Sequence, residues 1–121
     1  MSSVFVDDQR KALKFYTEVL GFQKRADVPT GEFSWLTVGN EESDFELLLE
    51  PNAHPAAKAY QAAIYADAIP ASMFFVDDLN QEFGRLKKLG VNFKSDPADM
   101  GGVKIAILDD TCGNLISLCQ Q

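Results

Sequence analysis

The run Val4-Phe5-Val6-Asp7-Asp8 near the start of the chain returns as Phe74-Phe75-Val76-Asp77-Asp78. At nearly the same offset Leu20-Gly21 returns as Leu89-Gly90, and Phe45-Glu46-Leu47 as Ile116-Ser117-Leu118. Four identities in a row can be coincidence. Three landmarks in the same order, each in the same kind of predicted element, describe an internal repeat. A chain of 121 residues with such a repeat is one ordinary domain, or two very small units that share a core.

Each copy opens on a short apolar run ended by paired aspartates, which suits a strand followed by a helix N-cap. From Gln9 to Leu20 the residues Ala12, Leu13, Tyr16, Val19 and Leu20 recur at helical spacing, and Gly21 stands where a left-handed C-cap belongs. Leu79, Phe83, Leu86 and Leu89 draw the same stripe in the second copy, closed by Gly90. Asp78 and Gln81 have capping-box spacing, which the first copy lacks. Three strand-like stretches follow each helix: roughly 22–27, 33–38 and 44–50, then 91–94, 103–108 and 114–120. Turns at Pro29-Thr30-Gly31, Gly39-Asn40, 97–102 and 109–114 separate them. The expected organisation is one domain over 1–121, made of a first βαβββ module (1–50), a linker helix (51–70) and a second βαβββ module (71–121). The linker helix rests on Ala56, Ala57, Tyr60, Ala63 and Ile64.

Composition narrows the function. Hydrophobic residues at 46% and charged residues at 24% fit a globular protein with a real core. No apolar run approaches the roughly 20 residues needed to span a bilayer, and no basic segment leads into an apolar one, so a cytoplasmic protein is expected. A formal net charge of −7, with no basic cluster longer than Lys87-Lys88, argues against nucleic acid. Cys112 and Cys119 form no Cys-x-x-Cys pair and read as structural thiols.

A single unit of about 50 residues buries too little apolar surface for comfortable stability. Two side by side share a core and leave a curved sheet with one helical face and one open face, whose lining comes from alternate strand residues. Such a concave junction suits a small ligand. The two copies resemble the vicinal oxygen chelate superfamily, which includes glyoxalase I, extradiol dioxygenases and bleomycin-resistance proteins. The resemblance covers essentially the whole chain. Its carriers are Val4 to Gln9, the Phe15-Tyr16-x-x-x-Leu20-Gly21-Phe22 run, Phe74 to Asp78, and the Asp110-x-x-Gly113-Asn114-x-Ile116 signature. It implies an α+β fold of two tandem βαβββ modules forming a curved mixed sheet with an open cup, and a homodimer.

Metal-dependent members of that family hold a divalent ion in the cup through one residue from the first and last strand of each module. Counted back from the paired aspartates, the first-strand positions are Met1 and Ala71; the last-strand positions are Glu46 and Ser117. Only Glu46 is a plausible ligand, whereas such sites need at least three protein donors. The expectation is therefore no metal and no cofactor. His54, the only histidine, lies in the linker before Pro55 and reads as a surface or helix-start residue. Glu46 is either a carboxylate aimed into the cup or an ordinary strand residue. Trp35 is either a stacking platform or core, and a lone strand tryptophan is more often core. Met73, Phe75 and Cys119 share the parity of the lost ligands and would make the pocket greasy.

The resemblance thus implies a metal-independent protein that binds a small hydrophobic or aromatic molecule through Trp35, Glu46, Met73, Phe75, Ser117 and Cys119, as bleomycin-resistance proteins do. The competing reading is a metal-dependent enzyme of the glyoxalase or dioxygenase kind with an unusual ligand set. A third is a structural or regulatory dimer whose apolar residues simply interdigitate.

Overall fold

The computed structural model describes residues 2–41 and 44–121. The chain forms β1 (Ser2–Val6), α1 (Gln9–Lys14), β2 (Gln23–Thr30), β3 (Phe33–Gly39), β4 (Glu46–Pro51), α2 (Pro55–Ala66), β5 (Ser72–Phe75), α3 (Leu79–Lys88), β6 (Ala98–Asp99), β7 (Lys104–Asp109) and β8 (Leu115–Gln120). Two four-stranded mixed sheets result, with strand orders β1-β4-β3-β2 and β5-β8-β7-β6. The first strand of each module runs parallel to the fourth, and the other pairings are antiparallel. The repeat in the sequence is therefore a repeat of topology.

Alternation along the strands sorts the side chains. Val4, Val6, Leu36, Val38, Leu47 and Leu49 of the first sheet face the core with Ala12, Phe15 and Tyr16. In the second, Ala106, Leu108, Ile116 and Leu118 pack with Leu79 and Leu86, and all of these belong to one continuous core. The aspartates after β1 and β5 begin the helices as expected. Asp8 accepts from the Arg10 and Lys11 backbone N–H groups, and Asp78 from that of Gln81. His54 does the same for α2, its Nδ1 accepting from Ala56 N at 3.0 Å. After α1 the chain widens into a π turn over Phe15–Val19, and Leu20 N donates back to Phe15 O.

One expected strand differs. Residues 91–94 form no strand; Phe93 makes an isolated bridge to Leu108, and the short β6 lies in the stretch read as a turn. Lys94 N still donates to Ile107 O. The next ladder position is then taken over by the Ser95 hydroxyl, which accepts from Ile107 N. Pro97 has no N–H to continue the ladder, so the edge strand resumes only at Ala98.

The two modules meet at β1 and β5, each the edge of its sheet. A buried polar cluster closes the β1 side. Asp110 is fully buried; its Oδ1 accepts from Cys112 N (2.7 Å) and Asn114 N (3.0 Å), and its Oδ2 from Tyr16 Oη (2.7 Å) and Asn114 Nδ2 (2.9 Å). Asn114 Nδ2 also reaches Phe5 O on the free edge of β1 (2.7 Å), and Gln61 Nε2 donates to the same carbonyl (2.9 Å). Gly113 has φ +98°, and a Cβ there would come within 2.7 Å of Gln61 Nε2. The Asp-x-x-Gly-Asn signature is thus a clamp between modules. On the helical side, Arg85 of α3 donates to Val19 O at the end of the π turn, so both helices lie on one face and the other sheet face is open.

Burial, then the neighbouring Asp110 carboxylate, push the Tyr16 hydroxyl well above its ordinary pKa, so it remains a donor. Tyr16→Phe removes one of four donors from a buried carboxylate. It is expected to lower unfolding free energy by about 1.5–3 kcal/mol, measured by urea denaturation.

Candidate functional site

On the open face, alternation places Ser3, Phe5, Trp35, Thr37, Gly39, Glu46, Leu48 and Glu50 in the first module. In the second it places Met73, Phe75, Ile105, Ile107, Ser117 and Cys119. The six residues singled out from the sequence all lie on this face, but they are not equally accessible. Phe75 is 63% exposed, Met73 49% and Trp35 44%, so Trp35 is not the core residue that a lone strand tryptophan usually is. Glu46 is half-buried. Ser117 and Cys119 are buried because larger neighbours flank them: Met73 and Ile107 beside Ser117, Phe75 and Ile105 beside Cys119.

The polar part of the face belongs to the first module. Register slips between Lys24 and Ala26, and Arg25 in the resulting bulge lies over Gly39. A Cβ on Gly39 would stand 2.9 Å from Arg25 Nε and collide with the Phe45 carbonyl oxygen, so only glycine leaves room for that side chain. The Arg25 guanidinium donates to Asn40 O. Residue order did not single out Arg25; Gly39, the strand partner of Glu46, is the signal that points to it. Thr37 is fully buried between Ala26 and Leu48. Its Oγ1 is the one buried side-chain polar atom without a hydrogen-bond partner among the described residues.

A cavity of about 320 Å³ adjoins the open face at the free edge of β5. Leu20, Phe22 and Phe45 line it from the first module, and Met73 to Val76, Glu82 and Leu118 from the second. Phe22, Phe45 and Phe74 form a mutual cluster, with centroids 5.1–6.1 Å apart. Of the residues expected from the sequence, only Met73 and Phe75 reach this cavity. In the sequence the three phenylalanines stand out only as members of strands and of the repeated motifs.

The donors for a divalent ion do not fit. Met1 lies outside the described residues, Ala71 offers no donor, Ser117 is buried and neutral, and Glu46 is a single carboxylate. Among the described residues no group of three or more His, Cys, Asp or Glu side chains could hold an ion. Both cysteines are free and buried. Burial, reinforced by Asp110, pushes the Cys112 thiol up to about 12, so it is no thiolate nucleophile at neutral pH.

Two βαβββ modules sharing a core beneath an open sheet face define a class of paired-module α+β proteins. This chain belongs to the Glyoxalase/Bleomycin resistance protein/Dioxygenase superfamily, whose model matches residues 2–118. It is 53% identical over 123 aligned residues to the uncharacterized protein YurT of Bacillus subtilis (strain 168), covering all of this chain and 97% of that one. Among solved structures it is similar to UcmS2, with TM-score 0.84 and 31% identity over 98% of this chain and 93% of that one. It is also similar to TnmS3, an antibiotic binding protein from Streptomyces sp. CB03234, with TM-score 0.78 and 30% identity over 98% and 90% of the two chains. Among the described residues no helix is long and apolar enough to cross a membrane.

The orphaned Thr37 hydroxyl gives a direct check of the open-face packing. Thr37→Val keeps the shape of the side chain and removes a buried group that lacks a partner. Thermal unfolding is expected to show a gain of about 1 kcal/mol.

Proposed function

We propose that this protein binds a small hydrophobic or aromatic molecule on the open sheet face, without a metal ion, as a cytoplasmic homodimer. The observation that carries this reading is the exposure of Trp35, Met73 and Phe75 on the face turned away from the core. Large apolar side chains held on a rigid sheet provide stacking surface at little conformational cost. Glu46 and Arg25 supply polar contacts at the first-module end, while Ser117 and Cys119 lie beneath the flanking Met73, Phe75, Ile105 and Ile107. The similarity to an antibiotic binding protein supports a planar, drug-like ligand. Of the four expected ligand positions only Glu46 carries a carboxylate, which supports binding without chelation, because Lewis-acid chemistry on vicinal oxygens needs an ion held by several donors.

A thermal-shift screen against planar aromatic compounds tests the reading. A binder is expected to raise Tm in proportion to the logarithm of its concentration above Kd. Phe75→Ala or Trp35→Ala is expected to weaken binding about tenfold each, the loss of one stacking contact. Prior treatment with a chelator is expected to leave the shift unchanged. Stoichiometric zinc, nickel, iron or manganese in protein purified without chelators would instead support the metalloenzyme reading.

The homodimer has its own support. β3 pairs with β4 only through Thr37, Val38 and Gly39, whereas β2 and β3 stay paired out to Thr30 and Phe33. The distal hairpin therefore extends past its sheet, carrying Val28, Phe33 and Trp35 exposed on one face. A two-stranded ribbon with an apolar face is marginal on its own. Sedimentation equilibrium is expected to give twice the mass of one chain, and Trp35→Glu with Val28→Glu to give a folded monomer. A wild-type protein that remains a single chain at micromolar concentration contradicts this.

A further inference from the structure

The cavity at the free edge of β5 differs from the open face in position and in chemistry. Trp35, Glu46, Ser117 and Cys119 are not among its walls; Leu20 and Glu82 enter it from the helical side, and only Met73 and Phe75 are shared, at its rim. Both modules build it, so its shape depends on how they are clamped together.

We propose that this cavity is a second binding site, for a small neutral aromatic molecule of one ring or two fused rings. This is independent of the open-face reading. Three observations select the ligand. The volume of about 320 Å³ stands at the lower end of the roughly 300–1,000 Å³ range of ligand pockets, which favours a compact guest. One wall is the Phe22, Phe45 and Phe74 cluster, in which Phe74 meets the other two rings edge-on at 67° and 77°. Ring edges and faces are thus both presented, which suits another flat ring. Among the described residues the one ionised side chain of the wall, Glu82, is gripped by Arg85 through Nε (2.7 Å) and Nη2 (2.9 Å). With that charge compensated, a charged guest would lose hydration and meet no free counter-charge among the described residues of the wall.

Packing physics gives the site its reason to be filled. The pocket is open to solvent, so its phenyl rings are met by water. A flat guest that displaces this water removes apolar surface from it and gains dispersion contacts with the rings.

Isotope-labelled full-length protein titrated with indole tests the proposal by NMR. Saturable shifts are expected at Leu20, Phe22, Phe45, Phe74 and Leu118. Leu20→Trp fills the cavity without touching the open face and is expected to weaken indole binding at least about tenfold; Leu20→Phe fills it less and is read beside it, each checked for folding by its Tm. A crystal of the wild-type protein soaked in indole supplies an independent reading, with the ring expected against Phe22 and Phe74. Shifts confined to Trp35, Ile105 and their open-face neighbours, an empty cavity in the soaked crystal, or unweakened binding in a folded Leu20 variant would overturn the proposal. Failure at the seam leaves the open-face reading intact. Indole at the seam with no planar compound bound to the open face leaves this site standing and removes the other.

Discussion

Asp110 is buried between two modules, and its charge is met by four donors from three directions: a turn backbone, an asparagine amide and a tyrosine from the other module. Burial alone raises its pKa above the ordinary carboxylate value, and the donors pull in the opposite direction. An uncompensated carboxylate at this point would be costly enough to separate the modules. The same cluster closes the free edge of β1, since Asn114 and Gln61 satisfy a carbonyl that no strand reaches. How the 110–114 turn sits against β1 and α1 of the first module follows from how this junction is held.

The two sides of the seam have opposite character. Beside β1, polar groups meet polar groups and no glycine Cβ could be added at Gly113 without striking Gln61. Beside β5, phenyl rings meet across the boundary and leave a cavity. A seam pinned at one end and soft at the other can hold a guest at the soft end without giving up its alignment. The open face has a similar division: Arg25 and Glu46 mark the first module, whereas Met73, Phe75, Ile105 and Ile107 make the second apolar.

Much of the fold was legible from residue order. Paired aspartates marked both helix starts because a carboxylate after an apolar run is an N-cap. Parity placed Met73 and Phe75 together on one face, whereas for Trp35 and Glu46 residue order left both a cup-facing and an ordinary place open. Exposure did not follow, because it depends on the neighbouring strand: Ser117 and Cys119 are hidden by Met73, Phe75, Ile105 and Ile107, which lie far away in sequence. The break between Phe93 and Ala98 was also unreadable, since a serine hydroxyl replaced a backbone group there.

The sequence by itself determined two copies of one βαβββ unit, their helix caps and the parity that puts Met73, Phe75 and Cys119 on one face. These are local properties, set by periodicity and by the chemistry of single side chains. Only the tertiary structure decided which edges meet, that Asp110 rather than Glu46 is the deeply buried carboxylate, and that Phe22, Phe45 and Phe74 surround a cavity. Each of those depends on contacts between residues tens of positions apart, whose geometry is fixed by the packing of one module against the other.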